Sequence, residues 1–181
     1  MCRRTNLTSV PITYTSQDQV EVYRFNPAVA IGVPLVALFL QAFLPWRMHF
    51  FSLFDLPLLV VIFFAVARRS PVAGLVTGSL IGLLQDSLTH HPIGIYGIAK
   101  TVVGYGASSL GAKLDVDNVG ARFLVTLVFY AVHQIVYFTV ARGLVKLTVE
   151  WSWGHELGAA LLNAATAAVM FTLLDRFKQR A

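Results

Sequence analysis

The feature that most constrains this chain is a series of six long apolar stretches. A helix of about 20 apolar residues has the length needed to cross the hydrocarbon core of a membrane. Hydrophobic residues make up 56% of the 181 residues and charged residues only 13%. A soluble domain carries about 25% charged residues. The sequence therefore predicts an all-α integral membrane protein with six transmembrane helices, and it excludes a water-soluble globule.

The six stretches divide the chain into two short tails and one membrane domain. We expect a polar cytoplasmic tail at 1–25, a six-helix membrane domain at 26–176 and a second cytoplasmic tail at 177–181. The transmembrane spans are expected at about 28–45, 50–67, 71–88, 93–112, 121–141 and 157–174. Asn26-Pro27 and Ser70-Pro71 are helix start signals, because each places a capping residue before a proline at the first helical position.

The basic residues predict the orientation of these helices. With a cytoplasmic amino terminus, the cytoplasmic side carries ten Lys and Arg residues: Arg3, Arg4, Arg24, Arg68, Arg69, Lys113, Arg122, Arg176, Lys178 and Arg180. The opposite side carries three: Arg47, Arg142 and Lys146. Cytoplasmic loops of membrane proteins are enriched in Lys and Arg, so this bias predicts that both termini are cytoplasmic.

Small residues recur at helical spacing in the third and fourth spans. Gly74, Gly78 and Gly82 lie four residues apart and therefore share one helix face, and Gly97 and Gly104 lie on the next span. In lipid, helices associate by close packing of such faces. Two interpretations follow: a seam between two helices of this chain, or a surface that binds a helix of a partner protein.

Three ionisable residues, Asp55, Asp86 and Lys100, are expected to form a polar cluster in the outer half of the membrane. An ionisable group within a span is costly and usually faces protein or water. A short turn separates Asp86 from Lys100, so we predict an ion pair between them, with a structural or a functional role. Asp55, about one turn inside the second span, is either a helix-start carboxylate or a member of the same cluster.

The fifth span carries polar side chains on one face. Tyr130, His133, Gln134 and Tyr137 predict an interhelical hydrogen-bond stripe rather than a catalytic site, with Asn163 of the sixth span as its partner.

No sequence pattern favours an enzyme. His90 and His91 are interpreted as turn residues, because adjacent histidines do not converge on a metal as ligands one helical turn apart do. The sequence has no glycine-rich phosphate loop, nucleophile elbow or HExxH motif, and its basic residues follow membrane topology. We therefore expect no catalytic residue, no cofactor, no metal and no nucleic-acid partner.

Two blocks of the sequence resemble the bacterial rod shape-determining protein MreD family. They are FDLPLLVVIFFAVARRSP, at 54–71, and GLVTGSLIGLLQDSLTHHPIGIYGIAKTVVGY, at 74–105. The resemblance is carried by a glycine-spaced helix ending in Leu-Leu-Gln-Asp, a turn with Pro-x-Gly and a following small-residue helix. It extends over the six spans, from residue 28 to residue 175.

This resemblance implies a non-enzymatic component of the cell-elongation machinery in the bacterial inner membrane. The implied partners are the bitopic protein MreC, membrane lipid and, indirectly, cytoplasmic MreB filaments and periplasmic peptidoglycan synthases, with no small-molecule substrate. The family is also similar to the six-helix substrate-binding subunits of energy-coupling-factor transporters. Capture of a vitamin-type molecule is therefore the alternative function.

Overall fold

The computed structural model describes residues 23–89, 92–113, 116, 118–149 and 151–180, so His90 and His91 lie outside the described residues. The helices are α1 Pro27–Arg47, α2 Leu56–Arg68, α3 Pro71–Leu88, α4 Ile95–Gly111, α5 Val119–Gly143 and α6 Trp153–Leu174. Two 3₁₀ helices, His49–Leu53 and Asp175–Phe177, precede α2 and follow α6. Five helical segments in the described chain are long and apolar enough to cross a membrane, while α4 has 17 residues. The prediction of a six-helix membrane protein is confirmed at this level.

The two ends of the described chain meet in a pair of short strands. Strand β1, Tyr23–Phe25, pairs antiparallel with β2, Lys178–Arg180. Phe25 is buried and packs edge-on against the rings of Phe63 and Phe64 in α2. The polar tails expected at 1–25 and 177–181 therefore include residues that pair with each other, because pairing satisfies their backbone groups. We call this end of the bundle the termini end.

The opposite end carries Trp46, at the end of α1, and Trp153, at the start of α6, and we call it the tryptophan end. Helix α2 runs from this end through the centre of the bundle. All eight residues at 58–65 are buried, and α2 contacts each of the other five helices. A helix that is apolar on every side is expected to be surrounded by other helices.

The second span is not one continuous helix as predicted. The 3₁₀ helix ends at Leu53, the backbone is extended at Phe54, and α2 begins at Leu56. The Asp55 carboxylate accepts a hydrogen bond from the N–H of Leu58 at 3.0 Å, and Pro57 lies in the first turn. Asp55 therefore caps the start of α2 rather than lying one turn inside a helix.

Helices α3 and α4 have the most extensive contact of any helix pair. The α3 glycines Gly74, Gly78 and Gly82 face, respectively, the carbonyl groups of Gly104, Lys100 and Tyr96 on α4. A Cβ added at any of these three glycines lies under 3.0 Å from backbone of α4. Gly104 in turn faces the backbone of Gly74, and Gly97 faces the side chain of Leu83. The structure thus places all five glycines at a seam inside the protein.

Candidate functional site

Lys100 is the centre of the candidate site. Its side chain is fully buried, and its Nζ donates to Asp55 Oδ2 at 2.6 Å. The same Nζ lies 3.4 Å from His133 Nε2 and 5.0 Å from the centre of the Tyr96 ring. An ammonium has three N–H groups, and these three neighbours can receive them all. The buried positive charge is therefore compensated within the protein.

Asp86 binds the start of α4, and the predicted ion pair between Asp86 and Lys100 is wrong. Asp86 Oδ2 accepts the N–H groups of Gly94 at 2.8 Å and Gly97 at 3.1 Å, and its Oδ1 accepts the N–H of Tyr96 at 3.1 Å. The first N–H groups of a helix have no acceptor within the helix. A carboxylate beside them forms several charge-assisted bonds at once, so α4 is capped from α3 across the turn.

Two amide side chains form hydrogen bonds with the backbone groups at the break between the 3₁₀ helix and α2. Asn163 of α6 accepts from the N–H of Asp55 at 2.9 Å and donates to the carbonyl of Leu53 at 2.8 Å. Gln41 of α1 donates to the carbonyl of Phe54 at 2.9 Å and accepts from the N–H of Leu56 at 3.1 Å. Non-helical backbone is tolerated at membrane depth only where the protein satisfies it, which these amides do.

The role predicted for Asn163 is therefore corrected. Its side chain forms hydrogen bonds with Leu53, Asp55 and Ala159, not with the polar face of α5. Gln41 was not predicted as a site residue, although a signal for it exists: it is the one polar side chain between Pro27 and Pro45.

The polar face of α5 reaches α6 through Glu156. His133 Nδ1 lies 3.1 Å from Gln134 Oε1, and Gln134 Nε2 donates to the Glu156 carboxylate. Glu156 and Asn163 are seven residues, two helical turns, apart on α6. These contacts, together with the part of α6 between Glu156 and Asn163, close a loop through α4, α5, α6 and the start of α2. We call it the polar ring, and its members are Asp55, Lys100, His133, Gln134, Glu156 and Asn163.

Aromatic rings cover one side of the polar ring. The Tyr96 ring stacks on His133, with 5.9 Å between ring centres, and on Tyr137, with 5.0 Å between them. Tyr130, one turn before His133 on α5, is also buried. Tyr96 and Glu156 were not predicted as site residues. Tyr96 could have been found from its position one helical turn before Lys100, on the same face.

The polar ring is suited to holding four helices in one arrangement. Its charged and polar groups bind one another, and such buried networks specify structure when every member is satisfied. Among the residues that the structure describes, no three His, Cys, Asp or Glu side chains lie close enough together to hold a metal ion.

A separate groove lies between α1 and α3. It has a volume of about 590 Å³ and is lined by apolar side chains that include Leu35, Phe39 and Phe43 of α1 and Leu84 and Leu88 of α3. None of its lining residues belongs to the polar ring. The two features are therefore distinct, and the groove offers an apolar surface to the surroundings of the bundle.

The chain matches a family model. The model is described as rod shape-determining protein MreD, and the match covers residues 23–181. The comparison with curated proteins and the comparison with solved structures gave no match. The matched range includes all six helices, the glycine seam and the polar ring. The family consists of membrane proteins with a structural role in shape determination and is not a known enzyme family. The chain belongs to the MreD family of rod shape-determining proteins.

Proposed function

We propose that this protein is a non-enzymatic membrane component of the rod complex that binds MreC and thereby helps to couple MreB filaments to peptidoglycan synthesis. The observation that carries this proposal is the family match, which covers nearly the whole chain. A role in shape determination implies protein partners. A six-helix bundle with short connections offers such partners mainly its membrane-embedded faces.

The chemistry of the polar ring supports a scaffold rather than a catalyst. Lys100 contacts Asp55, His133 and Tyr96, and Asp86 binds the backbone at the start of α4. Groups that are already bound to one another stabilise the bundle and are not available to a substrate. The exposed helix faces are then free to bind other membrane helices.

We infer that both termini lie in the cytoplasm, on the side of the MreB filaments. The ten-to-three distribution of Lys and Arg supports this orientation. The pairing of β1 with β2, which brings the two ends of the membrane domain together, is compatible with it. Topology reporters fused at residue 90 and after residue 181 are expected to report opposite sides of the membrane. The same side for both contradicts the inferred topology.

The binding of MreC is tested by affinity purification from native membranes, with a six-helix membrane protein of another family carrying the same tag as the control. MreC is expected to co-purify with this protein and not with the control. In a rod-shaped bacterium depleted of its own MreD, expression of this protein is expected to keep the cells rod-shaped. Round cells despite a stably folded protein, or rods without any recovered MreC, would contradict the proposal.

The alternative function, capture of a vitamin-type molecule, is less favoured by the geometry. Small-molecule sites combine apolar walls with a few polar groups that face the ligand. The groove between α1 and α3 has the apolar walls, but the charged groups expected to face a ligand lie elsewhere. Asp55 and Lys100 bind each other, and Asp86 binds the backbone of α4. Mass spectrometry of the purified protein distinguishes the two functions. A vitamin-sized molecule retained at one equivalent, together with a co-purifying ATPase, supports the alternative.

A further inference from the structure

The polar ring fixes the direction of the hydrogen bonds at both ends of His133. At one end the ammonium of Lys100, held by Asp55, can only donate, and it lies 3.4 Å from His133 Nε2. At the other end the carboxylate of Glu156 can only accept. The atom of Gln134 that contacts this carboxylate is therefore its amide nitrogen, Nε2.

The contacts at Nδ1 and at Nε2 require the same protonation state of the imidazole. Because Gln134 turns its Nε2 to Glu156, its Oε1 faces His133 Nδ1 at 3.1 Å, and this oxygen needs a donor. Because Lys100 faces Nε2, this second nitrogen must offer a lone pair. A proton on Nε2 would face the ammonium at 3.4 Å, while the acceptor Asp55 Oδ2 lies farther from this nitrogen, at 3.8 Å. Protons on both nitrogens would also place a second cation beside Lys100 in a buried site.

We propose that His133 is held as the neutral imidazole with its proton on Nδ1, and that it is a positioning residue linking Lys100 to Glu156 at the start of α6. Its Nε2 lone pair and the Asp55 carboxylate together orient the ammonium. The His133 side chain is buried and its ring is nearly parallel to that of Tyr96, with an interplanar angle of 9°, which fixes the ring plane. A path with one direction of donation therefore joins α4, α5 and α6. This property belongs to the isolated protein and does not depend on a partner.

Nitrogen NMR of the detergent-purified protein, labelled with ¹⁵N-histidine, tests the state of His133, because protonated and unprotonated ring nitrogens give distinct signals. The His133 signals are those lost in His133→Gln. Should this variant fail to fold, replacing the other four histidines in turn identifies them by elimination. The Nδ1-protonated form is expected to exceed the Nε2-protonated form by at least about tenfold. A proton on Nε2, or on both nitrogens, overturns the proposal.

Glu156→Gln tests the link to α6. An amide at this position can donate as well as accept, so Gln134 is free to turn and the excess of the Nδ1-protonated form is expected to fall. The matched control is Asp175→Asn, the same chemical change at the other end of α6, where Asp175 pairs with Arg122 at 2.5 Å. This control is expected to leave the His133 signals unchanged. Unchanged His133 signals in Glu156→Gln show that Glu156 does not set the state of the ring and overturn the link.

Discussion

Lys100 pairs with Asp55, a residue 45 positions earlier in the chain, although Asp86 lies only 14 positions earlier. The two carboxylates have separate tasks. Asp86 accepts three backbone N–H groups at the start of α4, whereas Asp55 caps α2 and neutralises the buried ammonium. The ion pair therefore fastens the central helix α2 to α4, while Asp86 closes the hairpin between α3 and α4.

The ion pair should show strong coupling in a double-mutant cycle. Lys100→Met and Asp55→Asn each leave one buried partner uncompensated, and such changes cost about 3–5 kcal/mol. Asparagine retains an oxygen that can cap α2, so Asp55→Asn chiefly tests the charge. The double variant is expected to recover part of the loss. The measurement is thermal unfolding in detergent, followed for the wild type, both single variants and the double variant.

The control cycle combines Lys100→Met with Asp86→Asn. Because the carboxylate of Asp86 binds the backbone of α4 rather than the ammonium, the coupling energy of this cycle is expected to be smaller than that of the Asp55 cycle. Coupling in this cycle, together with additive losses in the Asp55 cycle, would show that the lysine pairs with the other carboxylate.

Asp86 should itself be a large contributor to stability. Asp86→Asn leaves one acceptor oxygen where two now serve three N–H groups, and a buried N–H without a partner costs about 1–3 kcal/mol. The neighbouring Ser87→Ala is the control, because the Ser87 hydroxyl is exposed and donates only to a carbonyl of its own helix. Asp86→Asn should lower the unfolding temperature in detergent and Ser87→Ala should not. Equal unfolding temperatures would show that the cap of α4 contributes little.

Even a methyl group added at the glycine seam should destabilise the packing of α3 against α4. In Gly78→Ala the new Cβ would lie under 3.0 Å from the carbonyl group of Lys100, which is backbone and cannot move without separating α3 from α4. Gly32 of α1 is the matched control, because a Cβ there meets nothing within 4 Å. Gly32→Ala is expected to be neutral or to stabilise the helix by about 0.5–1 kcal/mol. Folded yield after detergent extraction should fall for Gly78→Ala alone. Similar yields for both variants contradict a close seam.

The helices could be predicted because their signals are local. Asn26 accepts the N–H of Ala28, and Ser70 accepts the N–H of Ala73, as expected for capping residues followed by proline. The apolar stretches are each long enough to indicate one helix. The interruption before α2 was not predicted, because the apolar stretch continues on both sides of Asp55. Asp55 followed by Pro57 is nevertheless a local helix-start signal that marks the position where α2 begins.

The partners within the site could be predicted only in part. Helical spacing shows which face of a helix carries His133 or Asn163, but it does not show which other helix that face meets. The pair of Asp86 and Lys100 was predicted from proximity along the chain. The Asp86 carboxylate instead accepts from the N–H groups at the start of α4, and the start of α2 brings Asp55 to Lys100 from a distant part of the sequence. Contacts of this kind depend on the packing of the whole bundle.

The side-chain amide of Asn163 should contribute as much to stability as the ion pair. It forms hydrogen bonds with backbone groups that have no partner within a helix. Asn163→Leu nearly keeps the side-chain volume but leaves the N–H of Asp55 and the carbonyl of Leu53 without their partner. Each buried group left unsatisfied costs about 1–3 kcal/mol. Thr172→Val is the control on the same helix, because the exposed Thr172 hydroxyl donates only to the carbonyl of Ala168. Hydrogen exchange should become faster at the amide of residue 55 in the Asn163 variant and stay unchanged in the control. Protection of this amide at the wild-type level would show that Asn163 does not hold the start of α2.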